Sequence, residues 1–187
     1  MRHKPFPTLL AFVNLSPTLT DIGWDNITRA ILCTLKTNEC LEVLKRAPVL
    51  EYCPAVPLDG ATVNLDTTTH HSRLRSLDLA SRKTEFLEMI NVPSFEEWIQ
   101  NTDGYPLPMT AMLSLLKRSR CCLKILNLQH ISALPKNLSI LFQEMPSLEC
   151  LQLHFWYVNN ADGLMDDILM ESRSTMLSSR CQTVCIR

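Results

Sequence analysis

Two adjacent carboxylates (Glu96 and Glu97), two adjacent histidines (His70 and His71) and eight cysteines are the side chains through which this sequence could do chemistry. A carboxylate pair supports acid–base or glycosidic chemistry only if both groups reach one substrate, and neighbours in an extended strand point to opposite faces. Glu96 and Glu97 therefore do not make a working pair. His70 and His71 could join thiols around a metal, but Cys-x-x-Cys spacing is missing, so a solvated pair in a loop is expected and no metal. The four glycines do not form a phosphate-cradling loop, and neither His-Glu-x-x-His nor a nucleophile elbow occurs. No catalytic residue and no cofactor are expected, so the chain does not read as an enzyme.

The cysteines fit packing better than bridging. Cys33, Cys40, Cys53 and Cys150 sit inside apolar patterns, where a thiol acts as a small hydrophobe. Adjacent Cys121 and Cys122 have poor geometry for bridging each other, and Cys181 and Cys185 stand in a polar tail as incidental thiols. A reduced intracellular location, cytoplasmic or nuclear, is expected. Three glycosylation triplets, at Asn14, Asn26 and Asn137, would matter only in a secreted chain. Leu9–Val13, behind Arg2, His3 and Lys4, is too short for a signal-peptide core, is broken by Asn14, and lacks a small-x-small site.

Charge narrows the partners. Eighteen Lys and Arg against nineteen Asp and Glu leave a formal net charge of -1, which offers no long-range pull on phosphate backbones or anionic lipid. Nucleic acid is not expected as a partner. No apolar run approaches the ~18 residues of a spanning helix, so no membrane is expected either. Hydrophobic residues at 46% and charged ones at 20% are enough to build a core.

The elements that position these side chains follow from a repeat. Leu74-Arg-Ser-Leu77-Asp-Leu79 recurs as Leu123-Lys-Ile-Leu126-Asn-Leu128 and as Leu148-Glu-Cys-Leu151-Gln-Leu153, all reading Leu-x-x-Leu-x-Leu. Weaker copies begin at Ile27, Leu50 and Phe95; the Phe95 copy ends in Gln100 where an apolar residue is due, and Pro54 interrupts the Leu50 copy. Starts at 27, 50, 74, 95, 123 and 148 give spacings of 23, 24, 21, 28 and 25, within the ~20–29 residues of a leucine-rich repeat. Side chains alternate in a strand, so the second and third apolar positions of each copy point together into a core that a single strand cannot hide.

Helical stripes fill the intervals. Cys40, Leu41 and Leu44 share a face, with Thr37 as cap and Pro48 as stop; Met112, Leu115 and Leu116 repeat the theme ahead of Lys117 and Arg118. Leu138, Leu141 and Phe142 make a third stripe ended before Pro146, and Leu164, Met165, Ile168 and Leu169 a fourth. Pro57–Ser72 reads as a loop replacing a helix, and Asn101–Pro108, with Asp103-Gly104, as a turn. The expected class is α/β: a short, irregular leucine-rich-repeat solenoid over 24–172, its parallel strands alternating with helices. A poorly ordered segment (1–23) precedes it and a frayed tail (173–187) follows.

A binding face, if built, lies on the outward strand positions: Ser76, Asp78 and Ala80, then Ile125, Asn127 and Gln129, then Cys150, Gln152 and His154, with Trp156 and Tyr157 as aromatic anchors. The partner-binding residues expected are Ser76, Asp78, Asn127, Gln129, Gln152, His154 and Trp156. The positions three after each last leucine are Arg82, Ile131 and Trp156, so the asparagine ladder of regular horseshoes is not expected.

Two junctions, Asn38-Glu-Cys-Leu-Glu-Val-Leu-Lys-Arg-Ala-Pro48 before Leu50 and Pro108-Met-Thr-Ala-Met-Leu-Ser-Leu-Leu116 before Cys122–Leu128, resemble the leucine-rich region of fungal F-box proteins. The resemblance runs from about Trp24 to Met170. It implies a substrate receptor of a cullin–RING ubiquitin ligase, whose F-box docks the Skp adaptor while the repeats hold a protein target. The segment ahead of Trp24, broken by Pro5, Pro7 and Pro17, leaves no room for an F-box, so Skp is expected as a partner only if an F-box lies upstream. The alternative expectation is a truncated or vestigial repeat fragment with exposed apolar ends.

Overall fold

In the computed structural model, which describes residues 8–13, 23–58, 68–80, 84–132, 138–155 and 183–186, each Leu-x-x-Leu-x-Leu copy runs into a strand whose last two apolar positions are closed to water. The strands are β1 (Thr8–Val13), β2 (Ile27–Lys36), β3 (Tyr52–Leu58), β4 (Thr69–His70), β5 (Ser76–Ala80), β6 (Ile90–Asn91), β7 (Glu97–Asn101), β8 (Ile125–Ile131), β9 (Cys150–Phe155) and β10 (Thr183–Ile186). One sheet takes eight of them in chain order, β1-β2-β3-β5-β7-β8-β9-β10, and β4 pairs with β6 beside it. Every pairing is parallel.

Parallel neighbours need a crossover, and the apolar stripes supply it. Helices α1 (Thr37–Arg46), α2 (Glu85–Glu88), α3 (Met109–Ser119) and α4 (Leu138–Gln143) return the chain, each packing against the next. The chain is thus α/β, with a parallel sheet and a row of helices. Because strand order never reverses among the described strands, the sheet has no switch point of the sort that opens a ligand crevice in doubly wound folds.

Local chemistry fixes the helix ends. In α1, Cys40, Leu41, Val43 and Leu44 are buried, and the Lys36 amide donates to Glu39 Oε2 at 2.8 Å; Thr37, expected as the cap, is the first helical residue and is itself buried. In α3 the buried face is Ala111, Met112, Leu115, Leu116 and Ser119. It stops at Arg120, whose φ of 48° is left-handed and whose amide returns to the Leu116 carbonyl at 2.9 Å. The short α4 buries Leu138, Leu141 and Phe142 and ends before Pro146. The stripe Leu164–Leu169 lies outside the described residues.

A repeated backbone contact ties the units together. The carbonyl of the second residue of one copy accepts the amides of the second and third residues of the next. Glu51 takes Arg75 and Ser76, Arg75 takes Glu96 and Glu97, Glu96 takes Lys124 and Ile125, and Lys124 takes Glu149 and Cys150, all at 2.8–3.0 Å. The weak copy at Phe95 therefore occupies the same structural place as the strong ones. Its odd residue, Gln100, is fully buried between Leu79 and Leu128 in the register, and its Oε1 accepts from Trp98 Nε1 at 3.3 Å. An inward amide survives there because a neighbouring indole supplies its donor.

Thr8–Val13 forms β1 against β2, and Thr183–Ile186 forms β10 against β9; the rest of 1–22 and of 173–187 lies outside the described residues. Two expectations within the array need correction. The stretch read as a loop at Pro57–Ser72 contains β4. His71, read as solvated, is 3% exposed: Nε2–H donates to the Ala47 carbonyl at 2.9 Å, and Nδ1 accepts the Leu74 amide at 3.0 Å. This one imidazole satisfies the end of α1 and the entry to β5 together. His70 is exposed, as expected.

Candidate interaction surface

The alternation that buries the leucines turns their neighbours outward, and the register lines these up into rows. Tyr52, Ser76, Glu97, Ile125 and Cys150 stand side by side across five strands; Pro54, Asp78, Ile99, Asn127 and Gln152 form the next row. Ala80, Asn101 and Gln129 begin a third. Adjacent strands lie about 4.8 Å apart, close enough for side chains in one row to touch.

Several do. Ser76 Oγ–H donates to Glu97 Oε2 at 2.7 Å, and Asn127 Nδ2 donates to Gln152 Oε1 at 3.0 Å. Gln152 Nε2 in turn points to Cys150 Sγ at 3.8 Å. Ser76 is 8% exposed even though its strand position faces outward. Of the residues expected to bind a partner, Ser76, Asn127 and Gln152 thus spend part of their hydrogen-bonding capacity within the face. Asp78, Gln129 and His154 are half-buried, and Trp156 lies outside the described residues, as does Tyr157.

Strand β7 adds Glu97, Ile99 and Asn101 to this face. None was among the outward residues expected, although applying the same alternation to the copy at Phe95 locates all three. Glu96, at the strand's entry, instead meets Lys124 Nζ at 3.4 Å. The two carboxylates part company as neighbours in an extended chain must.

Electrostatics single out the centre of the face. Burial, and then the charge of Glu97, raise the Asp78 carboxyl above its ordinary range. Burial and the charge of Asp78 likewise raise the Tyr52 phenol, and Arg29, whose guanidinium lies 4.7 Å from the centre of that ring, partly offsets them.

The C-terminal rim is shaped by a bulge. Between Leu128 and Ile131 β8 takes an extra residue relative to β9, with His130 at φ 53°. The freed carbonyls are claimed from the next turn: Thr102 Oγ1–H donates to His130 O at 2.8 Å, and the Gly104 amide donates there at 2.7 Å. Gly104 at φ 80° follows Asp103 at φ 50°, which tightens the expected Asn101–Pro108 turn. Asn101 Oδ1 accepts from the Asp103 amide and sits 3.0 Å from His130 Nδ1. The bulge returns Ile131 to the core, where a regular horseshoe would carry its ladder asparagine.

On the helix side, a cavity of about 810 Å³ opens between the ends of α3 and α4, lined by Lys117, Arg120, Cys121, Cys122, Glu144 and Ser147 among others. Lys117 and Glu144 pair at 3.4 Å. Burial pushes the Cys121 thiol up to about 11, which disfavours its thiolate; none of the described residues lining the cavity is a histidine. Among the described residues, no group of three or more His, Cys, Asp or Glu could hold a metal, and no helix is long and apolar enough to cross a membrane.

No family model matches the sequence, no curated protein is detectably similar to it, and no solved structure matches it.

Proposed function

We propose that the chain is a short, irregular leucine-rich-repeat solenoid that binds a protein partner on the outward face of its sheet. The observation that carries this reading is the recurrence of one backbone arrangement at successive copies, with strands in unbroken chain order. Such an array makes a broad surface, a geometry that suits a macromolecular partner. The face mixes amides, carboxylates and isoleucines, a composition suited to a protein surface. By its resemblance to the repeats of F-box substrate receptors, the partner is a ubiquitin-ligase target; contact with a Skp adaptor would require an F-box.

The test is affinity capture with the full chain, followed by re-binding of each purified captured protein. A variant with Asp78, Asn127 and Gln152 all changed to Ala should lose about tenfold or more in affinity, while Glu42→Ala on the exposed side of α1 should bind as the parent does. Equal binding by both variants overturns the assignment of the face.

A further inference from the structure

Asp78 and Glu97 are diagonal neighbours on β5 and β7, since Ser76 is opposite Glu97 and Asp78 is opposite Ile99. One strand further on, Ile99 and Ile125 repeat the same diagonal, because Glu97 is opposite Ile125. The centre of the face thus carries two parallel diagonals about 4.8 Å apart, one anionic and one aliphatic. Glu97 accepts the Ser76 hydroxyl, but no cation of the chain pairs with either carboxylate among the described residues. Arg29, across the register from Tyr52, is engaged over the Tyr52 ring. Two like charges on a half-buried surface oppose each other at a cost to folding that a cation from outside would remove.

From this geometry we infer that the partner is a protein segment presenting an arginine beside an aliphatic side chain, the guanidinium seated over Asp78 and Glu97 and the aliphatic group over Ile99 and Ile125. Arginine fits better than lysine because its planar fork can donate to two carboxylates at once, and its weaker hydration lowers the cost of docking against isoleucines. This inference rests on the outward face being the binding face, and it adds the chemistry of the partner.

The test uses the full chain carrying ¹³C-methyl isoleucine and a series of synthetic peptides, acetyl-Gly-Leu-X-Leu-Gly-amide, with X as arginine, lysine, citrulline or glutamate. The arginine peptide should shift the Ile99 and Ile125 methyl signals, with citrulline, its neutral counterpart, about fivefold or more weaker and glutamate weaker still. Asp78→Asn and Glu97→Gln should each weaken the arginine peptide while raising the melting temperature by about 1–3 °C, because each relieves the repulsion. Gain of stability with loss of binding is a signature that a purely structural carboxylate does not give. Equal binding of arginine and citrulline peptides, or arginine binding unchanged in both variants, overturns the inference. If only the citrulline peptide moves those methyls, the charge assignment fails and the binding face stands. If no peptide moves them, the inference fails, and the capture experiment alone decides the face.

Discussion

Replacing Arg118 with Met should destabilise the chain although it leaves the apolar core intact. The guanidinium donates to two backbone carbonyls on the chain ahead of it: Nη2 to Leu87 O at 2.6 Å, and Nε and Nη2 to Ile90 O at 2.9 and 2.8 Å. Nη1 reaches Ser114 Oγ at 3.2 Å. Helix α2 is a single turn and β6 only two residues long, so neither holds itself in place. A charged donor contributes a net ~1.5–3 kcal/mol per hydrogen bond in a dry site. Arg118 is only part-buried and water recovers some of this, so the expected loss for Arg118→Met is about 2–3 kcal/mol in all. That corresponds to a fall of about 4–12 °C in melting temperature for a domain of this size. Arg118→Lys, with one compact head, should recover about half. Guanidinium chloride unfolding followed by far-ultraviolet circular dichroism measures both, and amide exchange should quicken first at Leu87–Asn91. A loss below about 0.5 kcal/mol for the Met variant, or full stability for the Lys variant, would refute the reasoning, because the carbonyls would then be satisfied without the fork.

Burial lowers the proton affinity of His71, so its folded value lies below its unfolded one and protonation breaks the Leu74 N–H to Nδ1 bond. Stability should be fully present above the unfolded value of about 6.5 and should decline at lower pH by at most ~1.4 kcal/mol per unit; His71→Gln, compared at pH 7.5 and 5.5, should remove this slope. Leu126→Ala, inward on β8, should cost about 2–5 kcal/mol in chemical unfolding, while outward Gln129→Ala on the same strand should stay within about 0.5; similar losses at both would contradict the alternation. Among the described cysteines, exposed Cys122 should be alkylated first. Cys40, whose thiol burial pushes up to about 12, and Cys53, fully buried and also raised, should react only on unfolding, as peptide mass spectrometry can follow.

What the sequence made legible was whatever repeats. The strong copies and the stripes at Leu41, Leu115 and Leu141 name their strands and helices because period-2 and period-3.6 patterns leave different traces. A second signal, less obvious, accompanies them: Ala47-Pro-Val-Leu50, Val92-Pro-Ser-Phe95 and Met145-Pro-Ser-Leu148 all close the same turn, the amide of the last residue returning to the carbonyl of the first. In two of them the serine hydroxyl reaches the preceding unit, Ser94 to Ser72 O and Ser147 to Leu123 O. His71 was illegible because a satisfied buried imidazole and a solvated one look alike in sequence; only its partners, 24 residues back and three ahead, distinguish them. Strands β1 and β10 lie outside the clear repeats, and a lone short apolar run does not announce what it pairs with. At the candidate surface, the rows could be drawn from alternation alone, but the pairing of Ser76 with Glu97 and Asn127 with Gln152 depends on register between strands.

The unbroken strand order also bears on how this sheet comes to exist. All-parallel sheets are ordinarily slow to assemble, since partners far apart in the chain must find each other before anything is gained. Here the central strands pair at separations of only 21 to 28 residues, so each closure is short and resembles the one before it. Assembly can begin at any unit, Trp98 and its neighbours being well placed, and spread in both directions by the same step. On the repeat reading proposed above, inserting or deleting a whole unit should cost little, while half a unit should misplace every row beyond it.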